Sequence, residues 1–371
     1  MNPHLFTPIR LGGITLPNRI AVSPMCQYSA DDGCMSDWHL VHLGSLACSG
    51  AGLLMVEATG VTREGRISHG CTGLYSDHNE AAMKRVIEAC RRITSSPIGV
   101  QLAHAGRKGS VQPPFRGGKP LGPQESPWQT VAPSAIAFDA GWHAPRELST
   151  LELRSLADSF AQAAARALAI GFDLVELHSS HGYLLHEFLS PLSNQRKDLY
   201  GGSPENRMRF PLEVARALRE AWPRERALGA RISASDWAEG GCGPADAIAY
   251  ARELHEIGFD FVCVSSGGLV PHARIKVEPG YQVPFAAQVK RAVPIAVRAV
   301  GMIADAEQAE EIVASGKADM IAMARAFLDD PRWVWHAAEH FGVRLEYPPQ
   351  YARSHPSVWP GSGLARPRTP A

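Results

Sequence analysis

The run Ile170-Gly171-Phe172-Asp173-Leu174-Val175-Glu176-Leu177-His178 closes a helix and opens a strand. Upstream, Leu153, Leu156, Phe160, Ala164 and Ala167 recur at helical spacing, with Arg and Gln on the other face. Gly171 stands where a left-handed C-terminal cap belongs. The alternating apolar residues from 173 to 178 then have the length of a buried strand. The same punctuation returns at Ile257-Gly258-Phe259-Asp260 and at Ser315-Gly316-Lys317-Ala318. Three copies of helix, Gly, Asp and strand argue for a repeated β/α unit.

Working outward, strands are predicted at 19–25, 52–57, 98–102, 173–178, 229–234, 260–265, 294–300 and 318–324. Helices are predicted near 38–48, 79–94, 149–169, 205–221, 244–257, 282–291, 305–314 and 333–341. Eight such units read as an α/β protein built on one (β/α)8 TIM barrel, with its active site at the C-terminal strand ends. The chain reads as a single domain over 1–371, with the barrel at about 19–345. Residues Ile9 to Ile20, with Gly12-Gly13 between apolar runs, look like a hairpin over the barrel bottom. Residues 104–147 are rich in Gly, Pro, Lys and Trp without periodicity, and read as a long insertion over the mouth. Residues 348–371 carry no core-forming pattern and read as a C-terminal tail.

Lys+Arg and Asp+Glu each number 37, so nothing favours nucleic acid or a membrane surface. The seven Cys are scattered, with no C-x-x-C pair, which argues against zinc, an iron–sulfur cluster or a disulfide framework. No segment has signal-peptide or membrane-spanning character, and the expected compartment is the cytoplasm.

Chemistry concentrates after the fourth strand, at His178, His181 and Tyr183. Two imidazoles can hold an oxyanion, and a phenol can donate a proton at neutral pH. A satisfied polar loop and a metal site are alternative readings of two His beside a Tyr, but no third ligand stands at metal spacing. Downstream come Ser193-Asn194-Gln195-Arg196, Asp198, Tyr200-Gly201-Gly202-Ser203 and Glu205-Asn206-Arg207-Met208-Arg209-Phe210. This ungapped string resembles the signature of the old yellow enzyme family, the flavin-dependent ene-reductases. Locally it also reads as a tight turn into a helix capped by Ser203, with Pro204 at the first position.

The resemblance implies roles for the strand ends. Ser23-Pro24-Met25-Cys26-Gln27-Tyr28 is similar to the bacterial subgroup, related to the xenobiotic reductases, in which Cys replaces a Thr. There Cys26 would lie against FMN and tune its potential, and Tyr28 would contact substrate. Ala58 would permit close approach of the flavin pyrimidine. Gln101, in Gln-Leu-Ala-His-Ala-Gly-Arg, would bond the pyrimidine edge with donor and acceptor. Arg231 would stabilise reduced flavin. Gly301 and Ala324-Arg325 would bind the phosphate, where barrels commonly do; many members of the family have Gly-Arg at the latter pair. Arg353, in Pro349-Gln350-Tyr351-Ala352-Arg353, would enter a neighbouring subunit's site, with Trp359 a further candidate.

The implied activity is NAD(P)H-dependent reduction of the activated C=C of α,β-unsaturated aldehydes, ketones, maleimides or nitroalkenes. His178 and His181 would hold the oxygen and Tyr183 would protonate. FMN is the implied cofactor, NADPH or NADH the co-substrate, and a homodimer or dimer-based homotetramer the implied assembly. Two alternatives stay open on the residues alone: a non-redox phosphate-binding lyase or isomerase, and a non-catalytic flavin sensor. No strand candidate ends in the Lys that Schiff-base chemistry needs.

Overall fold

The computed structural model describes residues 3–365. A hairpin, β1 (Ile9–Leu11) and β2 (Ile14–Leu16), precedes the first barrel strand, β3 (Ile20–Val22). The chain continues through α1 (Asp37–Ala47), β4 (Leu53–Gly60), α2 (Asp77–Arg91) and β5 (Ile98–Ala103). Next come short β6 (Val131–Ala132) and β7 (Arg146–Glu147), α3 (Thr150–Ile170), β8 (Leu174–Ser179), α4 (Leu184–Leu189) and α5 (Pro204–Ala221). The rest alternates: β9 (Ala227–Ser233), α6 (Pro244–Ile257), β10 (Phe261–Ser265), α7 (Val283–Ala292), β11 (Ala296–Val300), α8 (Ala306–Ala314) and β12 (Met320–Met323). Then follow α9 (Arg325–Asp329) and α10 (Trp333–His340). Strands β3, β4, β5, β8, β9, β10, β11 and β12 pair in parallel in that order and close on themselves. Every predicted strand is present, so the fold is a (β/α)8 TIM barrel.

The repeated punctuation has a physical explanation. Gly171 and Gly258 end their helices at φ +97°, and Gly316 turns at +72°. The Asp that follows each one reaches sideways. Asp173, Asp260 and Asp319 accept a backbone N–H from the first or second residue of the preceding strand: Ile98 at 2.8 Å, Leu228 at 2.8 Å and Val297 at 2.9 Å. Each unit therefore latches the start of the strand before it.

Two layers of apolar side chains hold the barrel. One fills the space between strands and helices, with Phe160, Phe172, Phe210 and Leu218 fully buried. The other plugs the interior: Leu11 and Leu16 of the hairpin meet Leu53, Met55, Leu174, Phe261 and Met320. The hairpin thus covers the barrel bottom, as its sequence suggests, and its apolar contacts belong to that plug.

Boundaries shift in informative ways. β3 stops at Val22, so Pro24 to Tyr28 are loop rather than strand. β4 runs on to Gly60 through a register shift between Val56 and Ala58. Residues 184–189, outside the predicted helices, form a helical turn and a half that buries Leu184, Leu185 and Phe188. In the segment 104–147, three 3-10 turns and the two-residue β6–β7 pair are the regular structure. After α10 the chain packs back on it: the Trp335 and Tyr347 rings stack at 3.8 Å, and the Arg332 guanidinium lies over Trp335 and Tyr351. The predicted tail is therefore ordered at Pro349–Ser354, a 3-10 turn with no buried residue. Its last residues, 366–371, lie outside the described residues.

The signature string acts as a latch. Asn194 Nδ2 donates to the carbonyls of Phe188 (2.8 Å) and Tyr200 (2.7 Å). Arg196 grips Asp198 with two nitrogens and reaches the carbonyls of Pro133 and Leu148. Arg207 bonds Leu189 and Gly202. Ser203 caps α5 through Asn206 N–H. These bonds tie the β8–α5 connection to the insertion and leave the string's polar groups satisfied.

Candidate active site

The barrel interior changes character along β8. Leu174, Glu176 and His178 share one face, because side chains alternate along a strand. Leu174 joins the apolar plug. Glu176, fully buried, accepts from Gln101 Nε2 at 2.7 Å and pairs with Arg298 of β11. His178 stands at the mouth, level with Arg231 of β9 in the strand register. The interior thus passes from hydrocarbon, through a closed ion-pair layer, to open chemistry.

His178, His181 and Tyr183 converge there. The His178 ring centroid lies 5.2 Å from that of His181 and 5.0 Å from that of Tyr183, both edge-to-face. Burial pushes both imidazoles well below their ordinary value, with the Arg231 charge adding to the effect, so both are neutral. Burial, with Cys26 nearby, pushes the Tyr183 phenol up, so it keeps its proton. His181 Nε2 sits 2.8 Å from Ser265 Oγ. His178 Nδ1 is buried without a partner.

Most of the other predicted residues lie on the barrel strands or in the loops that follow them, and Arg353 lies on the C-terminal 3-10 turn. Cys26 is half-buried, and burial followed by the Glu57 carboxylate raises its thiol well above the usual range. The loop carrying it is fixed from below: Gln27 N–H donates to Glu57 Oε2 at 3.0 Å, and His39 Nε2 holds Glu57 Oε1 at 3.1 Å. Tyr28 adopts φ +51° and meets Phe115 edge-on at 6.4 Å. It also walls a cavity of about 840 Å3 with Arg63, Arg66 and Trp128, framed partly by the insertion. Pro24 and Met25 are half-buried beside Ser23, whose buried Oγ has no partner. Ala58 is nearly buried on β4.

Gly301 adopts φ +111°, and a Cβ there would lie 2.3 Å from Gln282 Nε2. Ala324 caps α9, and exposed Arg325 begins it. Arg353 is exposed on its 3-10 turn and makes no ion pair among the described residues. Non-glycine residues at positive φ follow the strands repeatedly: Tyr28, Ser110, His181, Trp237 and Met302. Strained backbone of this kind gathers at functional sites.

The mouth suits an FMN. Arg231, half-buried, pairs with no carboxylate among the described residues, and its Nε has no partner. In charge it contrasts with Arg298, which Glu176 neutralises. Ser23 Oγ is likewise unsatisfied. With its Nε2 held by Glu176, Gln101 keeps its amide oxygen as acceptor. A heterocycle with alternating donors and acceptors and a phosphate tail meets these needs.

Several residues escaped sequence reasoning. Glu57 with His39, Glu176 with Arg298, and His186 with Asp236 are buried pairs made across the fold. Gln282 accepts from Ser266 Oγ at 2.6 Å and donates to the Val300 carbonyl at 2.9 Å, bracing two strand-end loops. Charged residues inside apolar strand runs, as in Leu174–Leu177 and Ala296–Val300, were the available signal.

Residues 4–343 match the model of the NADH:flavin oxidoreductase / NADH oxidase family. An NADPH dehydrogenase of Geobacillus thermodenitrificans is 44% identical over 355 residues, covering 95% of this chain and 99% of that protein. One of Bacillus subtilis is 43% identical with the same coverage. Among solved structures, morphinone reductase in complex with tetrahydroNAD superposes with a TM-score of 0.75 at 31% identity, covering 94% of each chain.

Proposed function

The chain belongs to the NADH:flavin oxidoreductase / NADH oxidase family, the old yellow enzymes, and on that premise we propose that it is an ene-reductase for activated alkenes. It is an oxidoreductase with FMN as cofactor and NAD(P)H as reductant. The observation that carries the finer reading is the His178–His181–Tyr183 cluster, with two neutral imidazoles and a protonated phenol within ring contact.

A bound FMN, with NAD(P)H as its reductant, would supply hydride chemistry toward the β-carbon of the alkene. His178 and His181, each neutral, donate N–H bonds to the carbonyl or nitro oxygen and stabilise the charge that grows there. Tyr183 gives its proton to the α-carbon. A phenol held protonated by burial yields only to a strong base, and an enolate carbon is one. Arg231, level with His178, would face the flavin's anionic edge, with Gln101 on the pyrimidine and Ser23 to Cys26 and Ala58 lining the ring. Gly301, Ala324 and Arg325 would hold the phosphate. Tyr28 borders the substrate from the cavity side.

The test separates the half-reactions anaerobically. Tyr183→Phe should slow oxidation by cyclohexenone about 10²–10⁴-fold, the usual worth of a general acid. Reduction by NADPH should change little. Equal losses in both would overturn the assignment.

A further inference from the structure

One peptide group, joining His181 to Gly182, is held at both of its polar ends. Its carbonyl accepts from Lys108 Nζ at 2.8 Å. Its N–H donates to His186 Nδ1 at 2.9 Å. Because Nδ1 accepts, the His186 proton sits on Nε2, which faces Asp236 Oδ1 at 2.8 Å. The other Asp236 oxygen takes Ser190 Oγ and Cys242 N–H, each at 2.7 Å. His186 and Asp236 are both buried, so solvent does not compete for these partners.

The peptide needs such support. His181 and Gly182 stand at φ +60° and +72°. Backbone like this persists only where its surroundings over-determine it. Neighbouring chain presses on it as well: a Cβ on Gly182 would lie 2.2 Å from the Gly268 carbonyl oxygen. Lys108 answers that crowding by donating to the Gly268 carbonyl at 2.8 Å too. Its ammonium also lies over the rings of Phe138 (4.8 Å) and Tyr183 (5.0 Å). No carboxylate pairs with Lys108 among the described residues, so its charge is spent on two carbonyls and two aromatic faces.

We propose that Lys108 and His186 are positioning residues: they clamp the 181–182 peptide from its two ends and so set the distance between His181 and Tyr183. This rests on the ene-reductase reading, in which the first holds the oxygen and the second protonates the α-carbon. The two must act on atoms of one substrate at once, and the clamped peptide lies between them in the chain. Releasing one end lets the peptide rotate about its flanking bonds. His181 then loses its aim at the oxygen, and solvent competes with Tyr183 for the α-carbon.

The test compares holoenzyme variants Lys108→Met, which keeps the stem between the two rings, and Lys108→Arg, which restores cationic donors. Lys108→Met should reduce flavin with NADPH within about threefold of wild type. It should lose about 10–100-fold in oxidation by 2-methylcyclohexenone and bind p-chlorophenol about 3–10-fold more weakly. The product should change from one α-epimer to a mixture. Lys108→Arg should recover part of each. Should Lys108→Met prove insoluble, Lys108→Gln is read the same way. Wild-type phenol affinity together with a wild-type oxidative rate in the uncharged variant overturns the clamp, as do equal losses in both half-reactions. Tyr183→Phe run alongside tells the two ideas apart. If that variant behaves as wild type, the proton-donor reading falls, while phenol affinity still judges the clamp through His181.

Discussion

Gln101 Nε2 lies 2.7 Å from Glu176 Oε1, so the amide expected to meet the flavin has its orientation set by a carboxylate beneath it. The other Glu176 oxygen holds Arg298, and neither partner reaches solvent. Glu176→Gln should therefore strand a buried guanidinium and cost roughly 3–5 kcal/mol of stability. Replacing the pair together, Glu176→Leu with Arg298→Met, should return most of that stability. Both should weaken FMN binding, because Gln101 is freed to turn. Chemical denaturation and flavin-release titration measure the two effects. If the single and double variants were equally unstable, the stranded-charge account would fail.

Acid should destabilise the protein in a defined window. His42 and His104 are held down to about 4 by burial, and His178 and His181 well below 6.5. The folded chain keeps them neutral, while the unfolded chain takes up their protons below its ordinary value near 6.5. Unfolding then binds protons at these four imidazoles, so their contribution to stability falls as pH drops from about 6.5 towards 4 and is flat above 7. Glu187, raised to about 8 by burial, acts in the opposite sense, so the effect is read as a difference between wild type and a histidine variant. Melting temperatures at pH 7.5, 6 and 5 should show the slope. His42→Gln should flatten it by about one proton, and an unchanged slope would remove His42 from the account.

Cys26 should behave as a thiol. Burial and Glu57 keep it protonated, so it modifies the flavin's surroundings without carrying charge. Cys26→Ala should shift the flavin midpoint potential and move the two half-reaction rates in opposite directions. Iodoacetamide at pH 8 should leave Cys26 largely unlabelled in the native enzyme. A wild-type potential in the alanine variant would return Cys26 to packing.

Arg353 is proposed to complete a neighbouring subunit's pocket. The aromatic stack of Trp335 and Tyr347 presents its 3-10 turn at the surface, with the Arg353 side chain exposed. Truncation from Pro349 should raise KM for the alkene and leave FMN bound. Mixing Arg353→Ala with Tyr183→Phe chains should give heterodimers holding one intact site, and so restore activity. A fully active monomer would leave the turn without that role.

The parts legible in the sequence were those written locally. Hydrophobic period, the Gly caps and their following Asp gave all eight strands, since each is decided within about ten residues of chain. The positions of Gln101, His178 and Arg231 in the last halves of their strands followed from the same reading, while Cys26 lies in the loop beyond a first strand shorter than predicted. What stayed hidden depends on distant partners. Glu176 and Arg298 are 122 residues apart, and nothing local tells which will neutralise the other. The signature string carried the family resemblance, yet its Asn194, Arg196 and Arg207 hold loops together. Lys108 was an unremarked neighbour of Arg107, because its partners are main-chain carbonyls that no side-chain pattern encodes.

The aspartate latches make neighbouring units mutually dependent at the seams. Asp173, Asp260 and Asp319 each belong to one β/α unit but complete the strand of the unit before it. A fragment cut between units would end on a strand with an amide near its start that has lost its acceptor. Split or circularly permuted versions of this enzyme should therefore tolerate a break in the mouth-side loop between β10 and α7 better than breaks in the short glycine turns ahead of the aspartates. Seen that way, the barrel is a ring of overlapping shingles, and its natural unit of exchange is a strand together with the aspartate that follows it one helix later.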